Sequence, residues 1–249
     1  MATKHSSSSH RMDEPASDFF GNIQRIFTSL PNKLEFGVRE HLKKVYGTLT
    51  LALLSATFGI VVNAVMDFSR LSIIFSLAVF GLMIAITLTE STVQNENKRL
   101  AYLYVLTFLM GCQTGPLVEY VGLDDPTIVF NALLITMLVF GSFTMAALYA
   151  ESTKYLYLGG ILSSALLCLL VTVLFAPYTA LFRSFILWGG LAINVGFVLY
   201  DTQLIAEKRR RGDNDYIWHT VMLFVDFVNI FRYVLIILKE KSDKDKRRR

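Results

Sequence analysis

Five ionisable residues sit inside or at the edges of long apolar stretches: Glu119, Asp201, His219, Asp226 and Arg232. A charge there costs roughly 2.5–3.5 kcal/mol on insertion scales, so each needs a structural or functional reason. Glu119 and His219 lie close enough to stretch ends for interfacial exposure to be the expected state. Arg232 has two ordinary solutions, snorkelling to the interface or pairing with an acid. Asp201 and Asp226 lie deeper. If the link between their segments centres on 208–215, Asp201 is about seven residues, ~10 Å, inside one face, and Asp226 is about eleven residues, ~16 Å, inside on the returning helix. One helical turn separates the two depths, so adjacent antiparallel helices could bring the carboxyl groups together around one shared proton. Such a pair responds to pH. When doubly ionised it could repel or attract a cation such as calcium, which prefers carboxylate and carbonyl oxygens. In the plainer alternative, each aspartate hydrogen-bonds a neighbouring hydroxyl such as Tyr200 or Thr202. Asn194 and Asn229, each within two turns of an aspartate, extend a polar pathway.

The elements that must position these groups follow from composition. Apolar residues make up 53% and charged residues 18% of the 249, too oily for a soluble surface. Seven apolar segments, 45–65, 71–88, 100–121, 127–149, 155–175, 184–205 and 217–238, are joined by short links. This pattern predicts an all-α membrane protein: a bundle of seven transmembrane helices whose neighbours run antiparallel, occupying 39–238. The polar residues along the seventh segment place it inside the bundle, screened from lipid. Gly111-x-x-x-Gly115, Gly160-x-x-x-Ser164 and Ala192-x-x-x-Gly196 have spacings that let helices approach closely, and Gly115-Pro116 should kink or break the third helix. Cys112 and Cys168 read as small packing residues.

Residues 1–38 form a polar N-terminal tail in which Phe19, Phe20, Ile23, Ile26, Phe27 and Leu30, behind Asp18, have the spacing of a short interfacial amphipathic helix. Residues 239–249 (KEKSDKDKRRR) form a basic tail carrying the whole net charge of +4, suited to solvent or to anionic lipid headgroups. No aromatic or groove-reading element accompanies it, so nucleic acid is not an expected partner. Basic residues Lys43, Lys44, Lys98, Arg99 and Lys208 to Arg211 place the N-terminus and two links in the cytosol. Seven full crossings would send the basic tail to the other side. The seventh segment therefore either crosses against the charge rule or is re-entrant, and the expectation adopted is a cytosolic C-terminus. Neither H-E-x-x-H nor G-x-S-x-G occurs, and no enzymatic activity or cofactor is expected.

The stretches EHLKKVY (40–46), YLYLGGILSS (155–164), DTQLIAEK (201–208), GDNDYIWH (212–219) and LFVDFVNIFR (223–232), in this order among seven apolar segments, resemble the Bax inhibitor family, also called the transmembrane Bax inhibitor motif proteins. The likeness is greatest to its founding endoplasmic-reticulum cell-death suppressor. The resemblance implies a seven-helix bundle with the last helix central, a pH-sensitive calcium leak from the endoplasmic reticulum, and restraint of stress-induced apoptosis. It maps the family's paired aspartates onto Asp201 and Asp226, expected as pH sensor, ion pathway and transient calcium contacts, with Glu119, Asn194, Asn229 and Arg232 as lesser pathway candidates. Bacterial members carry an arginine within the second span; here 71–88 has none, and Arg70 lies just outside. The expected partners are calcium ions, protons and the bilayer. A non-transporting regulator that binds Bcl-2 family proteins or stress sensors is the alternative.

Overall fold

The computed structural model describes residues 35–66, 68–150, 155–175 and 179–248; the expected amphipathic helix at 19–30 lies outside them. Among the described residues there are seven α-helices: α1 (Phe36–Met66), α2 (Ser72–Leu88), α3 (Glu96–Asp124), α4 (Pro126–Tyr149), α5 (Leu158–Phe175), α6 (Ala180–Arg210) and α7 (Tyr216–Arg248). Each coincides with one apolar segment. Six are long and apolar enough to cross a membrane, which makes this a multi-pass membrane protein. The exception is α2, whose 17 residues extend ~26 Å, a little short of a ~30 Å hydrocarbon core.

Local chemistry sets the helix ends that matter for the interior. Asp125 accepts a hydrogen bond from the Thr127 amide at 2.9 Å and is followed by Pro126, a favourable first helical residue, so Asp125 alone separates α3 from α4. At the end of α6, Gly212 takes φ +98°, while the Gly212 and Asp213 amides donate back to the Arg209 and Lys208 carbonyls. This glycine-terminated C-cap turns the chain in a few residues. Asp215 then caps α7 by accepting from the Trp218 amide at 3.0 Å. The hairpin register of α6 and α7, and hence the relative height of their polar residues, is fixed by this link.

Helix α7 packs against α1, α3, α4 and α6, and buried residues occur all around it, including Ile217, Leu223, Phe224, Ile230, Phe231 and Leu235. It is the central helix, as its polar content implies. By contrast, α2 buries only Ile86 and α5 only Leu162, and both leave large apolar side chains outward. The closest crossing is α1 against α3. A Cβ on Gly111 would stand 2.0 Å from the Ala56 carbonyl oxygen, and one on Gly59 would stand 2.2 Å from that of Phe108. The Gly111 motif is thus a true packing surface, and Gly115 faces Asn63. The other two motifs differ from expectation. Gly160 borders open space while its neighbour Gly159 lies against Tyr200, and Ala192 is exposed while Gly196 meets Leu162. A small residue creates a contact only where the helix rotation turns it inward. Cys112 is buried, but Cys168 faces outward on α5.

The long helices run further than their apolar segments. Helix α3 continues through Pro116 without a break. Helix α7 is one uninterrupted helix of 33 residues, ~50 Å long, with no reversal of the kind a re-entrant segment needs. The basic residues through Arg248 continue α7, and Lys239 is buried, pairing with Asp124 of α3 at 2.6 Å and with Asp243 at 2.8 Å. Lys246 also reaches Asp124, at 2.7 Å. At the opposite end of the bundle, Arg209 donates to the Gly37 carbonyl of α1. The start of α1 and the end of α7 are therefore at opposite ends.

Candidate proton and ion site

Asp201 on α6 and Asp226 on α7 are both buried, on two helices that pack against each other. Asp201 is 8% exposed and Asp226 is 5% exposed. Carboxylates have only acceptors, so a bond between two of them requires a proton on one. The second oxygen of Asp226, Oδ2, is buried with no hydrogen-bond partner. The hydroxyl groups of Tyr46, Thr144 and Thr202, on α1, α4 and α6, are buried in the interior as well.

The lesser candidates are not gathered at the pair. Asn194 is buried two turns before Asp201 and donates to the Gly190 carbonyl of its own helix at 2.8 Å. Asn229 is half-buried one turn beyond Asp226. Glu119 is exposed on α3, as its position near the segment end predicts. Arg232 uses neither expected solution. Its Nε and Nη2 donate to the Thr114 hydroxyl at 2.9 and 2.7 Å, and Nη2 also reaches the Met110 carbonyl at 3.4 Å. These acceptors lie on α3 just before Pro116.

His219 corrects the expectation of interfacial exposure. It is completely buried, because it lies on the central helix at a height where α1 covers it, and its Nδ1 is 2.8 Å from Nε2 of His41 on α1. Sequence reasoning also assigned Arg99 to a cytosolic link as a topological charge. Arg99 is 2% exposed; its Nε donates to the Ile86 carbonyl of α2 and its Nη atoms grip both carboxylate oxygens of Asp215. Next to it, the Tyr216 hydroxyl donates to Glu96 at 2.6 Å. The start of α3 is thereby fastened to the start of α7. The available signal was the acidic G-D-N-D sequence ahead of the seventh segment, which needs a cation if any of it is buried.

Among the described residues, no three His, Cys, Asp or Glu side chains converge as a metal site. The aspartates supply two carboxyl groups, fewer ligands than the six to eight oxygens calcium takes in a resident site. Their chemistry suits proton exchange and brief cation contact.

A family model described as inhibitor of apoptosis-promoting Bax1 matches residues 38–243. The chain belongs to the Bax inhibitor family. It is similar to human Bax inhibitor 1, 41% identical over 213 residues covering 84% of this chain and 89% of the relative. Bos taurus Bax inhibitor 1 is 40% identical over 214 residues, 85% and 90% of the two chains. Arabidopsis thaliana Bax inhibitor 1 is 37% identical over 227 residues, 88% and 90%. Family membership covers all seven helices, so the α6–α7 hairpin and its aspartates fall within the shared region.

Proposed function

We propose that this protein is a proton-regulated calcium leak of the endoplasmic-reticulum membrane that restrains stress-induced cell death. Asp201 and Asp226 are its pH sensor and the narrow acidic part of its ion pathway. The observation that supports this reading best is the burial of two carboxyl groups on the packed helices of the central hairpin. Sharing a proton, the pair holds α6 to α7. Losing it leaves two negative charges in a poorly solvated interior, where they either force the helices apart or draw in a cation. Calcium is the cargo here, handed between carboxylate oxygens and not retained. Relatives named Bax inhibitor 1 support the cell-death role. All seven helices cross the membrane in this reading, with α2 met by local thinning of the bilayer.

The test is calcium release from loaded liposomes containing purified protein, measured across pH. Asp226→Asn removes one ionisable group with little change in shape, and the flux should lose most of its pH dependence. A variant curve superimposable on the unaltered protein's would remove the aspartates from the mechanism.

A second reading, a regulator that binds Bcl-2 family proteins or stress sensors without transport, draws support from the exposed basic residues Lys241, Lys244, Arg247 and Arg248 at the end of α7. Removing residues 241–249 distinguishes the two: cell protection lost with flux intact favours the regulator.

A further inference from the structure

The buried histidines form a second titratable centre, separate from the aspartates. His41 of α1 and His219 of α7 meet at 2.8 Å through Nε2 and Nδ1, with rings edge to face at 80°. Their exposures are 6% and 0%. On the far side of the His219 ring, Nε2 is buried with no hydrogen-bond partner and faces Oδ2 of Asp213 at 3.7 Å. That is too long for a direct hydrogen bond and close enough for a small carboxylate movement to make one. Asp213 is the way out: its side chain is 37% exposed, and its Oδ1 is fixed by the Asp215 amide at 2.8 Å.

We propose that His41 and His219 act as one proton-binding site, filled from the link side of the bundle through Asp213. In the resting pair, one hydrogen lies between the two facing nitrogens. A proton reaching the Asp213 carboxylate passes from Oδ2 to Nε2 of His219, which returns Asp213 to its anionic form. His219 then donates Nδ1–H to Nε2 of His41, and the added charge is shared by two rings with the bond between them intact. A second proton finds no such place. It would put hydrogens on both facing nitrogens and two cations in contact, breaking the link between α1 and α7.

The charges facing the pair enforce this limit from every side. Lys44 comes from α1, Lys208 and Arg209 from α6, and Asp213 and Asp215 from the link, with Asp215 already committed to Arg99. Three cations against one free carboxylate oppose a second added charge. His219 and Asp226 are seven residues apart, two turns along nearly the same face of α7, so a change at the histidines acts on the helix that carries the aspartate. Only this functional consequence rests on the proton-regulated reading above.

The chain has four histidines, and the other two, His5 and His10, can be assigned by substitution to Gln. Full-length protein labelled with 15N-histidine in lipid nanodiscs should show a nitrogen–nitrogen coupling across the His41–His219 hydrogen bond. Lowering the pH should add one proton to the two rings jointly. Asp213→Asn should move that joint step to lower pH, since it removes the anion that favours the proton. Absence of the coupling, separate one-proton titrations of the two rings, or an Asp213→Asn step at the original pH would each overturn the proposal. In the liposome assay, His219→Gln should displace the midpoint of the flux–pH curve and leave a pH dependence, whereas Asp226→Asn flattens it. Loss of calcium flux under all conditions would count against the leak and leave the nuclear magnetic resonance result standing on its own.

Discussion

Helices α5 and α7 are both rich in Leu, Val and Ile, and yet they live in different solvents. Helix α5 touches mainly α6, buries Leu162 alone and turns Leu166, Leu167, Leu170 and Leu174 outward. Helix α7 is enclosed by four neighbours and buries an aspartate and a histidine together with its aliphatic residues. The apolar residues of α5 satisfy lipid. Those of α7 satisfy protein, and the space they enclose is the one place where ionisable groups can be held by designed partners and not expelled. Apolar content therefore announces a membrane helix without saying which of its faces carries function.

The sharpest way to break this contrast is at the polar fastening of α7. Arg99→Ala leaves Asp215 without its buried cation and should cost about 3–5 kcal/mol, seen as a large drop in the thermal unfolding temperature in detergent. A loss under ~1 kcal/mol would mean that the link is held by the backbone caps alone. Next in size is the crossing that places α1 and α3 beside α7. Gly111→Val must push against the Ala56 backbone and should cost ~3 kcal/mol, whereas Gly160→Val on α5 meets open space and should change stability by less than ~1 kcal/mol. Equal effects would show that the two glycines are in equivalent surroundings. The smallest contrast concerns ordinary packing. Leu223→Ala on α7 empties a fully enclosed site and should cost ~2 kcal/mol or more, while Leu167→Ala on α5 exchanges one lipid contact for another and should cost little. Unfolding of both variants under the same conditions makes the comparison.

Much of this arrangement is legible one residue at a time, and the exceptions have physical causes. Asp201 and Asp226 are recognisable because a carboxyl group seven or eleven residues inside an apolar segment has no inexpensive alternative, and the helical rise converts sequence distance into depth. Glu119 is correctly read as peripheral by the same arithmetic. His219 fails that arithmetic. It lies near the start of its segment, where exposure is the default, and its burial comes from α1, whose approach is set by contacts far away in sequence. Arg99 fails for the same reason, since its partner Asp215 is 116 residues distant. Arg232 could be seen as needing a partner, but nothing in its neighbourhood indicates a threonine hydroxyl on the third helix.

The amino-acid sequence by itself determined that this chain forms apolar helices in a membrane and which ionisable groups lie too deep to be accidental. Those facts depend on local periodicity and on the free energy of transferring side chains into lipid, which are properties of short segments. Only the tertiary structure decided which glycines touch, which histidine is covered, which arginine is buried, and that the basic end of the last helix folds against Asp124. Those outcomes depend on how helices rotate about their own axes and lean on one another, a choice made by the packing of the whole bundle.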